Sequence, residues 1–145
     1  MNYLYKCIPF ILIAVTSFLS TNAQDYSTKD KKAIKFFEEG NLYFDQAEMN
    51  IAETSFQNAI ERDANFIEAH MLLAYVYIET DRNKDAITSL EKAISIDPKF
   101  YPAIYYNLGQ LYMDGSDYVK ASTYFQTFLS FLGQNPSLKR DAKLQ

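Results

Sequence analysis

The sequence predicts an all-α chain, a solenoid of about three stacked helical hairpins followed by a short C-terminal helix. Three observations predict it. A set of small and large residues recurs at a spacing of 34 to 35 positions. Only four Gly and four Pro interrupt 145 residues, too few for a turn-rich β fold. Short polar clusters separate runs long enough for three to four helical turns. An apolar fraction of 48% is that of a folded chain, and the length suits one domain.

The recurrence is read from small residues outward. Gly40 is followed by Tyr43, Ala52, Phe56 and Ala59. Ala74 is followed at the same offsets by Tyr77, Ala86, Leu90 and Ala93, and Gly109 by Tyr112, Ala121, Phe125 and Phe128. One residue is inserted in the second interval, at Phe100 or Tyr101. Small residues at 40, 74 and 109 let the two helices of a hairpin approach closely, and the large ones fill the space around those contacts.

Each element follows in order. Helices are expected near 28–46, 49–62, 65–80, 83–96, 99–114 and 117–132. Asp81-Arg82-Asn83 and Asp114-Gly115-Ser116-Asp117 are polar turns within hairpins. Asp97-Pro98 ends one repeat and suits the start of the next. Asn135-Pro136-Ser137 opens a further helix, with Lys139, Arg140, Asp141 and Lys143 giving a polar cap. The expected boundaries are 24–32 for a lead-in, 33–66, 67–101 and 102–135 for three repeats, and 136–145 for the start of a capping helix.

Residues 1–23 read as an address. Lys6 precedes an apolar run from Cys7 to Leu19, 13 residues long and too short for a good membrane span. Thr21 and Ala23 put small residues at the −3 and −1 places of a cleavage site. The pattern predicts a secretory signal peptide cleaved after Ala23, with an uncleaved anchor as the alternative. The chain is then exported and periplasmic or envelope-associated, with no membrane insertion after cleavage. Cleavage removes Cys7, the one cysteine, which suits an oxidising compartment. It also removes Lys6 and no acid, so 14 basic residues become 13 against 18 acidic ones, a formal −5.

The rest of the composition argues against chemistry. One His and one Cys leave no His-pair or multi-Cys metal set. The four Gly are scattered, so there is no phosphate-cradling loop. His70 falls on a helix packing place and reads as a partly buried structural histidine. Glu38-Glu39, with Asp45 and Glu48, is a solvated acidic face, since nothing supplies a matching nucleophile. Asp114 and Asp117 flank Gly115 without the acidic spacing or closing Glu of a calcium loop. No cofactor, no metal and no catalysis are expected, and the negative charge gives no reason to expect nucleic acid.

The repeat resembles the tetratricopeptide (TPR) repeat, a helix–turn–helix unit of 34 residues. The likeness rests on Phe36, Gly40 and Tyr43 in the first repeat, Leu73-Ala74 and Asp97-Pro98 in the second, and Tyr105, Leu108-Gly109 and Tyr112 in the third. Glu39, His70, Ala64 and Phe128 depart from it, replacing a Leu, an aromatic, a Pro and a small residue. The resemblance implies a protein–protein interaction adaptor whose first helices line a concave groove. Carried over place by place, Ile34, Asp45, Glu68, Glu79, Ala103 and Asp114 line or rim that face. The expected partner-binding residues are Phe37, Asn41, Phe44, Met71, Tyr75, Ile78, Tyr106, Gln110 and Met113, with packing between neighbouring first helices as the alternative role for some of the rings. A TPR subtype that clamps a C-terminal carboxylate uses Lys, Asn and Arg at places where this chain has Phe37, Leu72, Ala103 and Asn107, so only Asn41 matches. The stretch Phe100–Gly109, with Tyr124–Leu129, is also similar to the N-terminal TPR part of exported Bacteroidetes envelope proteins that carry an OmpA-like domain. A protein or peptide partner follows. Two alternatives stand beside the adaptor: a self-assembling structural module, suggested by Phe128 and Phe131 at an open third repeat, and an accessory subunit of an enzyme.

Overall fold

The computed structural model describes residues 25–134. Among them are six helices and no strand: α1 (Lys31–Asp45), α2 (Met49–Arg62), α3 (Ile67–Glu79), α4 (Asn83–Ile96), α5 (Ala103–Asp114) and α6 (Tyr118–Gln134). The helices pair as α1 with α2, α3 with α4 and α5 with α6, and each hairpin packs on the next through α2–α3 and α4–α5. The cleavage site and the capping helix expected over 136–145 lie outside the described residues.

Two helix starts, those of α1 and α5, fall three or more residues later than the sequence suggests, and those of α3 and α6 one or two. Residues ahead of Lys31 are held by other bonds, and Asp30 caps α1, its carboxylate accepting from Lys32 N at 2.7 Å and Ala33 N at 3.1 Å. Those two amide bonds, with Arg62 beside them, hold the Asp30 carboxyl below its ordinary range. Helix α5 begins at Ala103 rather than 99. The extra residue lengthens the linker after Asp97, where Phe100 and Tyr101 stand exposed.

Each hairpin turns by the same device. Ala47, Asp81 and Ser116 occupy equivalent places, and all three are left-handed, with φ of 60°, 57° and 63°. At each, the next amide reaches back to a tyrosine carbonyl: Glu48 to Tyr43 at 2.9 Å, Arg82 to Tyr77 at 2.7 Å, Asp117 to Tyr112 at 2.8 Å. The left-handed residue itself donates to the carbonyl three back, closing a Schellman motif. Gly115 is not the left-handed residue; its φ is −77°.

The core is a row of these matched positions. Ala52, Phe56 and Ala59, then Ala86, Leu90 and Ala93, are fully buried, with Phe66, Val76 and Leu108 between them. Each large apolar side chain contributes roughly 1.5–3 kcal/mol by leaving water. A Cβ on Gly40 would lie 2.6 Å from the Phe56 ring, and one on Gly109 would lie 2.5 Å from Phe125. Glycine lets the helices approach this closely at both places, as the spacing predicts.

Polar bonds recur between repeats. Gln57 Nε2 donates to Tyr77 Oη at 3.3 Å, and at the equivalent junction Tyr112 Oη donates to Glu91 at 2.7 Å, with Tyr124 Oη adding a bond at 3.0 Å. Burial, reinforced by Glu91, pushes the Tyr112 hydroxyl up to about 12 and raises Tyr124 as well. His70 Nε2 lies 3.0 Å from the Ala64 carbonyl, and Tyr105 Oη makes the equivalent 2.9 Å bond to Pro98 O. A carbonyl only accepts, so Nε2 carries the proton and neutral His70 leaves Nδ1 bare. Arg82 clips the second turn to the first hairpin through both Glu53 oxygens at 2.9 Å, while its guanidinium lies 4.2 Å over the Tyr77 ring. Among the described residues no buried side-chain polar atom lacks a partner.

Candidate functional site: the face of the first helices

Helices α1, α3 and α5 stand side by side. Helix α1 touches α3, and Asn107 Nδ2 on α5 donates to Tyr75 Oη on α3 at 3.0 Å. Burial raises the Tyr75 hydroxyl, with the Asn107 bond opposing it, so this phenol stays neutral and works as a fixed hydrogen-bonding group.

The face is graded from one end to the other. At the α5 end Tyr106 is 44% and Met113 43% exposed, and Gln110 Nε2 donates to Tyr106 Oη at 3.2 Å. In the middle, Met71, Tyr75 and Ile78 are half-buried, as are Asn41 and Phe44 on α1. Asp45, Glu79 and Asp114 stand exposed at the far ends of the three helices. None of the three is in an ion pair among the described residues.

Phe37 is a correction to the expected lining. It is only 4% exposed, with its ring 4.8 Å from Phe66, 5.7 Å from Phe56 and 5.2 Å from Tyr26. The cause is the lead-in, which runs across the start of α3 and covers the ring. Ser27 N donates to Glu68 at 2.9 Å, and Ile67 N donates to Ser27 Oγ at 2.9 Å. Thr28, also buried, donates to Asp63 at 2.5 Å. Phe66 has no side chain able to cap α3, and Ser27 does so from forty positions away. Glu68, expected on the groove, is engaged by the same contact. Neighbour spacing along one helix carries no sign of this, because the covering residues precede the first repeat.

Two other expectations change. Phe128 and Phe131 are half-buried, not open, because their rings lie 5.6 Å from Tyr106 and 5.4 Å from Tyr105. On the opposite side a cleft of about 550 Å³ opens between α2 and α4, lined by Gln57, Ile60, His70, Leu73, Ser89 and Lys92. It arises where His70 stands at the place that holds Tyr105 in the next repeat. The departure at His70 is its sequence signal.

Among the described residues no helix is long and apolar enough to cross a membrane, and no group of three or more His, Cys, Asp or Glu is placed to hold a metal ion. Matched small positions, Schellman-closed hairpins and stacked pairs define an all-α array of the tetratricopeptide type. Two family models agree: "TPR repeat" matches residues 76–115 and "Tetratricopeptide repeat" matches residues 102–131. With the fold, these matches support the tetratricopeptide-repeat family.

Solved structures of this kind align over most of the chain. The crystal structure of MamA superposes with a TM-score of 0.67 at 27% identity, over 77% of this chain and 61% of that one. The chain therefore spans about three fifths of that relative. The Arabidopsis OM64 TPR domain superposes with a TM-score of 0.66 at 22% identity, over 77% of this chain and 92% of the domain. The second TPR of Spaghetti (RPAP3), bound to the HSP90 peptide SRMEEVD, gives 0.64 at 20% identity, over 68% and 91%. No curated protein sequence matched the chain.

Proposed function

We propose that the chain is a non-catalytic protein–protein interaction adaptor that holds a partner segment on the face of α1, α3 and α5. The observation that carries this reading is the run of exposed and half-buried apolar side chains Met71, Tyr75, Ile78, Tyr106 and Met113 beside three exposed carboxylates that form no ion pair among the described residues. Aromatic and Met side chains give large contact area and adapt to irregular partners. Asn41 and Gln110 offer amides that fix a backbone, and Phe44 extends the apolar floor. Phe37 contributes from beneath, by supporting Phe66 and Tyr26.

Peptide capture by the Spaghetti repeat supports the general mode, but the ligand chemistry differs. SRMEEVD is rich in acid, whereas here Asp45, Glu79 and Asp114 rim the face and the carboxylate-clamping cations are absent. The segment that fits is an amphipathic one with apolar anchors and positive charge. The leader pattern in residues 1–23 supports a site of action after export, in the cell envelope.

Titration calorimetry with a basic amphipathic peptide and its acidic counterpart tests this. Binding of the basic peptide alone, weakened at least tenfold by Tyr106→Ala with Met113→Ala, is the expected result. Because the Tyr106 ring also rests on Phe125 and Phe128, circular dichroism of the double variant, showing unchanged helicity, accompanies the titration. Equal binding of both peptides, or an unchanged affinity in the variant, overturns the reading.

A further inference from the structure

Among the described residues the third hairpin is the last, and its α6 presents a face that is more covered at the two earlier junctions. Gln126 and Leu129 on α6 occupy the places of Gln57 and Ile60 on α2 and of Glu91 and Ile94 on α4. At those two junctions the apolar residue is partly buried against the core, and Tyr77 and Tyr112 bond to Gln57 and Glu91. On α6 Leu129 is 60% and Tyr118 67% exposed. Met113, Tyr118, Ser122, Phe125 and Leu129 line a shallow groove of about 390 Å³ on this side.

Three features choose the occupant. First, the side is uncharged: the one charged residue of α6, Lys120, turns back over the Tyr112 ring of its own hairpin and pairs with Asp117. Second, regular continuation by another first helix is obstructed. Ala59 and Ala93, fully buried where the next repeat packs, are replaced by Phe128, whose ring is committed to Tyr106. Third, head-to-tail stacking would bring α1 of a second copy onto α6. That would bury exposed Glu39 against side chains that offer it no cation, which strongly disfavours the stack.

The remaining arrangement is symmetric. Tyr118, Ser122, Phe125 and Leu129 recur at four, three and four positions, the spacing of a helix–helix seam. Antiparallel pairing about a twofold axis between Thr123 and Tyr124 sets Tyr118 against the partner's Leu129 and Ser122 against the partner's Phe125. Large meets small at the centre and ring meets branched chain at the edges, so the face complements itself. We infer that two copies of this chain associate through antiparallel α6 helices, a closed isologous contact. About 16 Å of helix takes part. That places the contact near the lower end of specific interfaces, on the order of 1,000 Å² in total, with dissociation in the micromolar range. The inference does not depend on the peptide-binding reading, since the two faces use different side chains apart from Met113 at their border.

The test is sedimentation equilibrium of the full chain, purified from a host that exports it, over a micromolar concentration series. A monomer–dimer equilibrium is expected, with Leu129→Glu monomeric throughout and unchanged in helicity and melting temperature. A chain that stays monomeric at the highest concentration overturns the inference, as does a dimer untouched by Leu129→Glu or one abolished by Glu39→Lys instead. A chain ending at 134 separates one further occupant. If residues 135–145 cover the face, their removal creates the dimer in place of a monomer, which also overturns the inference. If a second copy covers it, removal leaves the dimer as it was.

Discussion

Replacing Gly40 by Ala tests the packing logic of the whole array. A methyl group there would stand 2.6 and 2.7 Å from two Phe56 ring carbons, inside any tolerable contact. Phe56 is fully buried, so its ring has nowhere to go. Overpacking of this kind costs about 1–3 kcal/mol, and two such approaches put this site in the upper part of that range. Alanine recovers about 1 kcal/mol through helix propensity. The net loss is about 1–2 kcal/mol, a fall in melting temperature of roughly 5–10 °C for a domain of this size. The second repeat shows the remedy, since it carries Ala74 and Leu90 at the equivalent places, both fully buried. Phe56→Leu alone costs about 1–2 kcal/mol by leaving a cavity. Combined with Gly40→Ala it restores the second repeat's pairing and returns the chain to within about 1 kcal/mol of wild type, a coupling of about 2 kcal/mol. Urea and thermal unfolding followed by circular dichroism measure all four corners of the cycle. A Gly40→Ala chain as stable as wild type, or a double variant whose losses simply add, refutes the reasoning.

Other consequences are open to measurement. Gly109→Ala meets Phe125 just as closely, but that ring is half-buried at the open end and swings aside, so its stability should stay within about 0.5 kcal/mol of wild type by the same unfolding assay. Ala47→Gly removes the cost of a left-handed alanine and stabilises by about 0.5–1 kcal/mol in denaturant titration, whereas a loss would contradict the turn geometry. Ser27→Ala takes the cap from α3 and costs about 1 kcal/mol, with faster amide exchange at Ile67 as its local signature. His70 is held below its ordinary value, first by burial and further by Lys92, although the Ala64 bond opposes the shift. The unfolded chain therefore takes up a proton first as pH falls, so stability is full above about pH 6.5 and declines below it. His70→Tyr keeps the equivalent of the Tyr105 bond and has no such proton to take up. Its melting temperature relative to wild type should rise from pH 7 to pH 5, and a constant difference would show that His70 does not titrate in this way.

The parts that were legible in the sequence are those where one residue's size decides its role. Gly40 and Gly109 announce close helix approach, and the alanines and Phe56 mark the core. The polar turns were legible too, but not their atoms: the left-handed residue is Ser116 and not the glycine beside it, because the Schellman bonds count from the tyrosine carbonyl. The face of the first helices was legible as a periodic pattern, which is why the spacing puts Tyr75, Tyr106 and Met113 on one side of the array. Phe37 was misplaced because periodicity says which side of a helix a residue occupies, not what long-range segment lies over it. The same limit hid the cleft beside His70, which depends on the gap between two helices from different repeats.

The lead-in also decides how the array carries tension. Ser27 and Thr28 are fastened to Glu68, Ile67 and Asp63, at the start of the second hairpin and just before it. A pull on the N-terminus reaches those bonds before it reaches α1. The first hairpin is thereby bypassed and cannot be peeled away on its own. A chain tethered at that end would hold its first two hairpins together as one mechanical unit, and give way first at the less braced third.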